Sequence, residues 1–297
     1  MLPGARQPLT VSLVAAASAA LLLPATLATA QQGPARGALV IVGGAMRDPQ
    51  ILERFIQLAG GSDAPIVVIP TAGGAPDYDA SWGGMAAFRE AGASRLTLLH
   101  TYDPEVANRD GFAAPIHEAR GVWFTGGRQW RIADAYLGTR VEVELRALLD
   151  RDGVIGGSSA GATIQGEYLA RGDSSANTIM MGDHEEGFAF VTGVAIDQHL
   201  LQRNRQFDLL EIVSARPDLL GIGIDEDTAI VVRGNQFEVI GRSYVAIYDS
   251  QRRIDSGGNF YFLAPGDRYD LAAREAFRPE TTLQPLDRVV KHATVQK

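Results

Sequence analysis

The sequence predicts an α/β fold: a mainly parallel sheet flanked by helices, with an antiparallel β extension toward the C-terminus. Three observations predict it. Runs such as Ala38-Leu39-Val40-Ile41-Val42 and Ile66-Val67-Val68-Ile69 are wholly apolar. They lack the apolar–polar alternation of a half-exposed sheet, so both faces are buried. Helical patterns separate these runs, which is the rhythm of βαβ units. Beyond residue 228 the pattern changes to short β-like runs joined by polar turns such as Arg233-Gly234-Asn235.

The first 30 residues carry one charge, Arg6, and an apolar stretch from Leu9 to about Leu27 that ends near Ala28-Thr29-Ala30. Small-x-small after an apolar stretch is the form of a signal-peptide cleavage site. Residues 1–30 are therefore expected to direct export to the periplasm or the medium. No later segment approaches the roughly 20 apolar residues of a membrane span, so no membrane association is expected after cleavage.

The first strand is Ala38–Val42, stopped by Gly43-Gly44. A helical pattern follows around Pro49–Ala59, with Ile51, Leu52, Phe55 and Ile56 on one face. Ile66–Thr71 is the second strand, Ala80–Ala91 a helix and Leu96–Leu99 the third strand. A helix near Ala113–Ala119 leads to a fourth strand, Gly121–Phe124, which runs through Thr125 into Gly126-Gly127. Ile132–Asp150 reads as one long helix. Val154–Gly157 is the fifth strand, and Ala160–Tyr168 reads as the helix after it. Ala229–Val232, Gln236–Ile240 and Val245–Tyr248 form the antiparallel extension. No linker divides the chain, so residues 37–280 read as one domain and 281–297 as an irregular tail.

The composition excludes several chemistries. With no cysteine among 297 residues there is no disulfide, no thiolate metal site and no thiol nucleophile. A net charge of -8 argues against nucleic acid, whose phosphates need a basic face. Neither Gly-x-Gly-x-x-Gly nor a P-loop lysine is present, which argues against a nucleotide site.

The strongest local signal is Gly157-Ser158-Ser159-Ala160-Gly161, between a buried strand and a helical pattern. That is the setting of a nucleophile elbow, where small neighbours let a serine occupy a sharp turn. Ser158 competes, but the flanking glycines are symmetric about Ser159. The N–H groups of Ala160 and Gly127 are the candidate oxyanion donors. Among five histidines, His199 ends an apolar run and is the preferred base, ahead of His184 and His100. The orienting acid is open among Glu226, its neighbours Asp225 and Asp227, and Asp173.

Phe124-Thr125-Gly126-Gly127-Arg128-Gln129, the serine elbow, Asp197-Gln198-His199 with Arg203 and Arg205, and Gly221-Ile222-Gly223-Ile224-Asp225-Glu226-Asp227-Thr228-Ala229 occur in that order. Over roughly residues 37–265 the chain thereby resembles the cyanophycinases, S51 serine peptidases akin to the α-aspartyl dipeptidase peptidase E. The resemblance implies a class I glutamine-amidotransferase-like sheet. It implies Ser159 as nucleophile, His199 as base and Glu226 as acid, with Asp173 the alternative. Gln129, Asp197, Gln198, Arg203 and Arg205 then line the substrate pocket, and no metal or organic cofactor is required. The implied substrate is an aspartyl peptide, β-Asp-Arg or a cyanophycin-like polymer, cleaved by a secreted exopeptidase that is a possible homodimer. An α-aspartyl dipeptidase and a non-catalytic binding protein on the same fold are the alternatives. The chain departs from the pattern at Arg128, where a small polar residue is usual, and at Asp208, where a third arginine is usual.

Overall fold

The computed structural model of this protein describes residues 1, 30–79, 81–252 and 257–279. The expected signal segment, but for its two ends, and the expected tail lie outside the described residues.

In chain order the first half consists of β1 (Ala38–Val42), α1 (Pro49–Ala59), β2 (Pro65–Ile69), α2 (Ala86–Glu90), β3 (Arg95–Leu98), α3 (Pro104–Ala107), α4 (Asp110–Glu118) and β4 (Gly121–Phe124). It continues with α5 (Gln129–Tyr136), α6 (Arg140–Asp150), β5 (Val154–Ser158), α7 (Ala160–Thr163) and β6 (Gly166–Tyr168). The second half contributes β7 (Val191–Gln198), α8 (Leu209–Ala215), β8 (Leu220–Ile224), β9 (Thr228–Arg233) and β10 (Gln236–Gly241). Last come β11 (Val245–Asp249), β12 (Tyr261–Leu263), β13 (Arg268–Asp270) and β14 (Glu275–Phe277).

The predicted parallel sheet is present. Strands β1, β5, β4, β2 and β3 lie side by side in that order and run parallel. β9, β10, β13 and β14 extend it antiparallel beyond β1. A second sheet has the order β12-β11-β8-β7-β6, parallel across β6, β7 and β8. The expected antiparallel extension is thus divided: β9 and β10 continue the first sheet, whereas β11 pairs with β8 in the second.

Both faces of β1 are buried, as its unbroken apolar run requires. Leu39 and Ile41 pack toward the second sheet, with Phe124, Ile196 and Ile224 in the same cluster. Val40 and Val42 face the other way, toward Phe55 and Trp123, whose rings meet edge-to-face at 4.9 Å. Behind the second sheet, α8 closes a third cluster of Leu209, Ile212 and Tyr248.

Three elements differ from the sequence reading. The expected helix over 132–150 is two helices, broken at Leu137-Gly138-Thr139, where Gly138 has φ 70°. The apolar periodicity survives the break, so pattern alone joins the pieces. The helix after Ser159 stops at Thr163, and Gly166–Tyr168 becomes an edge strand beside β7. Of 80–91, only Ala86–Glu90 is α-helical, preceded by a 3₁₀ turn at Gly83–Met85.

Candidate active site

The carboxyl ends of β1, β5 and β4 lie side by side, because Val42 pairs with Ser158 and Phe124 with Gly157. Ligands of open α/β sheets bind at such ends. Ser159 follows β5 immediately. Its backbone sits at φ 56°, ψ -111°, where a side chain is strained by about 1–3 kcal/mol. The neighbouring main chain holds it there, through a 3.0 Å hydrogen bond from Ser159 N–H to the Val42 carbonyl.

His199 arrives from the second sheet, one residue past β7. Its N–H donates to the Gly43 carbonyl at 2.9 Å, which ties the two sheets together beside the elbow. The ring then bridges two groups. Nε2 lies 2.9 Å from Ser159 Oγ and Nδ1 lies 2.6 Å from Glu226 Oε1. Glu226 stands in the turn between β8 and β9. His199 and Asp227 also have left-handed backbones, with φ of 55° each. Three strained non-glycine residues therefore converge on one cluster.

Each carboxylate of Asp225-Glu226-Asp227 has a separate partner. Asp225 Oδ1 accepts the N–H groups of Leu201 and Gln202 at 2.9 Å, and its Oδ2 accepts Ser243 Oγ at 2.6 Å. Asp227 Oδ1 accepts the N–H groups of Arg47 and Asp48. Only the middle carboxylate meets the histidine. Asp173 accepts N–H groups from Ser175 and Ala176 in its own loop.

Gly44 leaves room for the imidazole. A Cβ there would overlap His199 Cε1, and its φ of 134° disfavours any side chain. Gly44→Ala is therefore expected to displace His199 and lower kcat at least a hundredfold, on the order of the penalty for about 1 Å of misplacement. Steady-state kinetics at a constant melting temperature check this.

Gly126 packs on the nucleophile: a Cβ there would stand 3.3 Å from Ser159 Cβ. Gly127 is exposed, with φ 145°. Ala160 is the first residue of a helix, so its N–H has no partner within that helix. Because α7 is a single turn, its dipole adds little, and any oxyanion stabilisation falls to the individual N–H groups.

A charged cluster borders the base. Asp197, fully buried, takes both sides of Arg171: Nε to Oδ1 at 2.9 Å and Nη2 to Oδ2 at 3.2 Å. Arg171 Nη2 also donates to Asp208. Arg205 Nη1 donates to Gln198 Oε1 at 3.0 Å and lies 3.9 Å from Asp197. Arg203 is exposed, and its N–H caps the His199 carbonyl. Gln129, 1% exposed, donates both amide hydrogens to the carbonyls of Ala170 and Arg171.

The model for Peptidase family S51 matches residues 39–240. This chain belongs to peptidase family S51. It is similar to the cyanophycinase of Trichormus variabilis (strain ATCC 29413 / PCC 7937), 35% identical over 261 residues, 80% of this chain and 86% of the relative. The cyanophycinase of Geminocystis herdmanii (strain PCC 6308) is 33% identical over 223 residues, 73% of this chain and 82% of the relative. Among solved structures, a peptidase from an acI-B1 Actinobacterium superposes with a TM-score of 0.59, covering 80% of this chain and 98% of its own at 23% identity. That likeness shows a shared fold.

The S51 assignment makes the chain a serine-type peptidase. The structure brings Ser159, His199 and Glu226 into hydrogen-bonding sequence, with Ala160 directly after the serine and Gly126, the neighbour of Gly127, packed on it. It places Asp197 out of reach of solvent, holding arginines rather than facing the cleft. His100 and His184 lie elsewhere. His100 Nδ1 meets Thr71 Oγ1 at 3.0 Å. The His184 ring lies between the Gly172 carbonyl and Asp134, at 3.1 and 2.8 Å. Both ring nitrogens are therefore engaged, and neither is paired with Ser159. Burial lowers the His184 pKa, but hydrogen bonds to Asp134 and Asp183 outweigh it and the net shift is upward.

Sequence reasoning missed Arg171. It lies beyond the elbow helix with no motif around it, and only the fold reveals that it joins Asp197 to Asp208.

Among the described residues, no group of three or more His, Asp or Glu side chains is arranged to hold a metal ion. No described helix is long and apolar enough to cross a membrane.

Proposed function

We propose that this S51 peptidase is an exported exopeptidase of cyanophycinase type, hydrolysing aspartyl peptide bonds through an acyl-enzyme on Ser159. The observation that carries the reading is the unbroken Ser159–His199–Glu226 relay on a strained elbow. His199 Nε2 takes the Ser159 proton as Oγ attacks the carbonyl, while Glu226 holds Nδ1–H and stabilises the imidazolium. The N–H groups of Gly127 and Ala160 face the developing oxyanion. His199 then protonates the leaving amine, and water releases the acyl group.

The arginines beside the base support an anionic substrate. Arg203 is exposed and Arg205 is buried beside Gln198, both close enough to His199 for their charge to act on it, and guanidinium groups pair with carboxylates in two-pronged fashion. Gln198 fixes Arg205, and Gln129 fixes the loop that carries Arg171. At the position where the family resemblance expects an arginine, Asp208 binds Arg171 and withdraws positive charge from the cleft. That favours a short β-aspartyl peptide over a long polymer. Export rests on the sequence before Ala30, and the chain just after it is tied to the body. Gln32 N–H donates to Asn235 Oδ1 at 2.8 Å, and the Gln32 carbonyl accepts from Thr192 N–H at 2.8 Å. The catalytic body is assigned to residues 37–280.

The test compares cyanophycin, β-Asp-Arg and α-Asp dipeptides as substrates, with a fluorophosphonate probe as a substrate-independent readout. Labelling at Ser159 with preferential cleavage of β-Asp-Arg is the expected result. A protein that neither labels nor cleaves overturns the reading, and preferential cleavage of α-Asp dipeptides reassigns the substrate.

The pH profile follows from His199. Burial lowers its pKa most, Glu226 opposes this, and the charges of Arg203 and Arg205 lower it further. The net shift is downward from 6.5. The base must be neutral to accept a proton, so it stays competent as pH falls below the usual histidine range. The acid limb of kcat/KM is expected below pH 6.5. Arg203→Met removes a repelling charge and moves that limb upward, as a pH-rate series at fixed ionic strength would show.

A further inference from the structure

The loop after β2 is built around two glycines, Gly73 and Gly74. A Cβ at Gly73 would overlap Tyr78 Oη, and one at Gly74 would overlap the Arg131 guanidinium. Tyr78 and Arg131 thus lie flush on the glycine pair. The same loop abuts the candidate oxyanion glycine: a Cβ at Gly127 would overlap the Ala72 carbonyl, and Arg128 N–H donates to that carbonyl at 2.8 Å. A chain of close contacts therefore links Ser159, through Gly126, Gly127 and Ala72, to the loop that carries Tyr78 and Arg131 against its glycines.

The chemistry of that surface is unspent. Tyr78 Oη accepts from Ala75 N–H at 3.1 Å, and its own proton has no acceptor among the described residues. Arg131 uses one nitrogen, Nη1, on the Ala72 carbonyl at 3.2 Å. Neither Arg131 nor Arg128 has a carboxylate within 4.0 Å among the described residues, in a protein of net charge -8. Both donors are held in place. The Tyr78 ring is wedged edge-on between Trp82 and His100, at 5.3 and 4.8 Å, and the guanidinium sits 5.1 Å from the Trp130 ring. Preorganised donors without an internal acceptor fit an external one.

We propose that Arg131 and the Tyr78 hydroxyl form a second anion subsite, distinct from Arg203 and Arg205, which takes a carboxylate of the peptide beside Gly127. The assignment rests on the peptidase reading above and deepens it. The peptide would be held at two points, by Arg203 and Arg205 at one and by Arg131 at the other. Cleavage of short peptides with free carboxylates follows from such a clamp.

A binding measurement separates this subsite from catalysis. Full-length Ser159→Ala protein is titrated calorimetrically with β-Asp-Arg, with its C-terminal amide and with the amide of its aspartyl α-carboxyl. One of the two amides, the one that neutralises the seated carboxylate, is expected to bind about ten- to a hundredfold more weakly than the parent acid. Adding Arg131→Met erases that difference and leaves the weak amide's affinity unchanged. Arg131→Lys restores part of it, and Tyr78→Phe removes a smaller share. Which amide shows the effect identifies the leaving-group or the acyl-side carboxylate as the ligand. A difference that persists in Arg131→Met, equal weakening of all three ligands, or no preference for the acid overturns the subsite. The peptidase reading fails separately, if wild-type protein does not label or hydrolyse while the binding preference stands.

Discussion

Ser159→Ala is expected to lower kcat by about 10⁵- to 10⁶-fold, since loss of the nucleophile leaves only what the donors and binding supply. The fold survives the change. Alanine is strained at φ 56° much as serine is, and the Ser159 N–H bond to Val42 is a main-chain contact. The lost hydrogen bond to His199 is worth about 1 kcal/mol, so the melting temperature falls by no more than a few degrees. Fluorophosphonate labelling disappears along with turnover. Retention of a tenth of the activity would reassign the chemistry, with Ser158 first in line. Ser158 is 9% exposed and pairs with Val42 within the sheet, which leaves it poorly placed to attack a substrate.

Glu226→Gln carries the second largest effect, about 10³- to 10⁴-fold in kcat with little change in KM. The amide matches the carboxylate in shape but lacks its charge. It can offer Nδ1–H an acceptor, or turn its NH₂ group toward the ring and stabilise the wrong tautomer. Either way the imidazolium formed during attack loses its counter-charge. Asp225→Asn and Asp227→Asn act differently, because those side chains hold the 201–202 and 47–48 backbones. Their losses appear in the melting temperature, with a smaller effect on kcat. An Asp173→Asn variant that lost more activity than Glu226→Gln would overturn the assignment of the acid.

The parallel core was legible because burial on both faces leaves a mark in sequence: β1, β2 and β4 read as apolar runs ended by glycine or proline. The breaks were less legible. Helix periodicity continues through Gly138, and nothing in Ala160–Tyr168 announces that its second half joins the edge of another sheet. The serine showed itself through its glycines. His199 and Glu226 showed themselves by position at strand ends, and their selection leaned on ordered motifs more than on spacing. Arg171, Tyr78 and Arg131 were hidden. Their significance is tertiary, resting on which loops the sheet order brings together, and single arginines and tyrosines in loops carry no local signature.

The triad draws its members from both sheets. Ser159 follows a strand of the first, His199 a strand of the second, and Glu226 sits where the chain crosses from one to the other. The hydrogen bond from His199 to Gly43 crosses the seam between them. Hydrolytic competence is therefore a property of docking rather than of either half. A chain whose two sheets have not docked carries all three residues yet no working relay. Activity therefore requires the second sheet to be seated against the first.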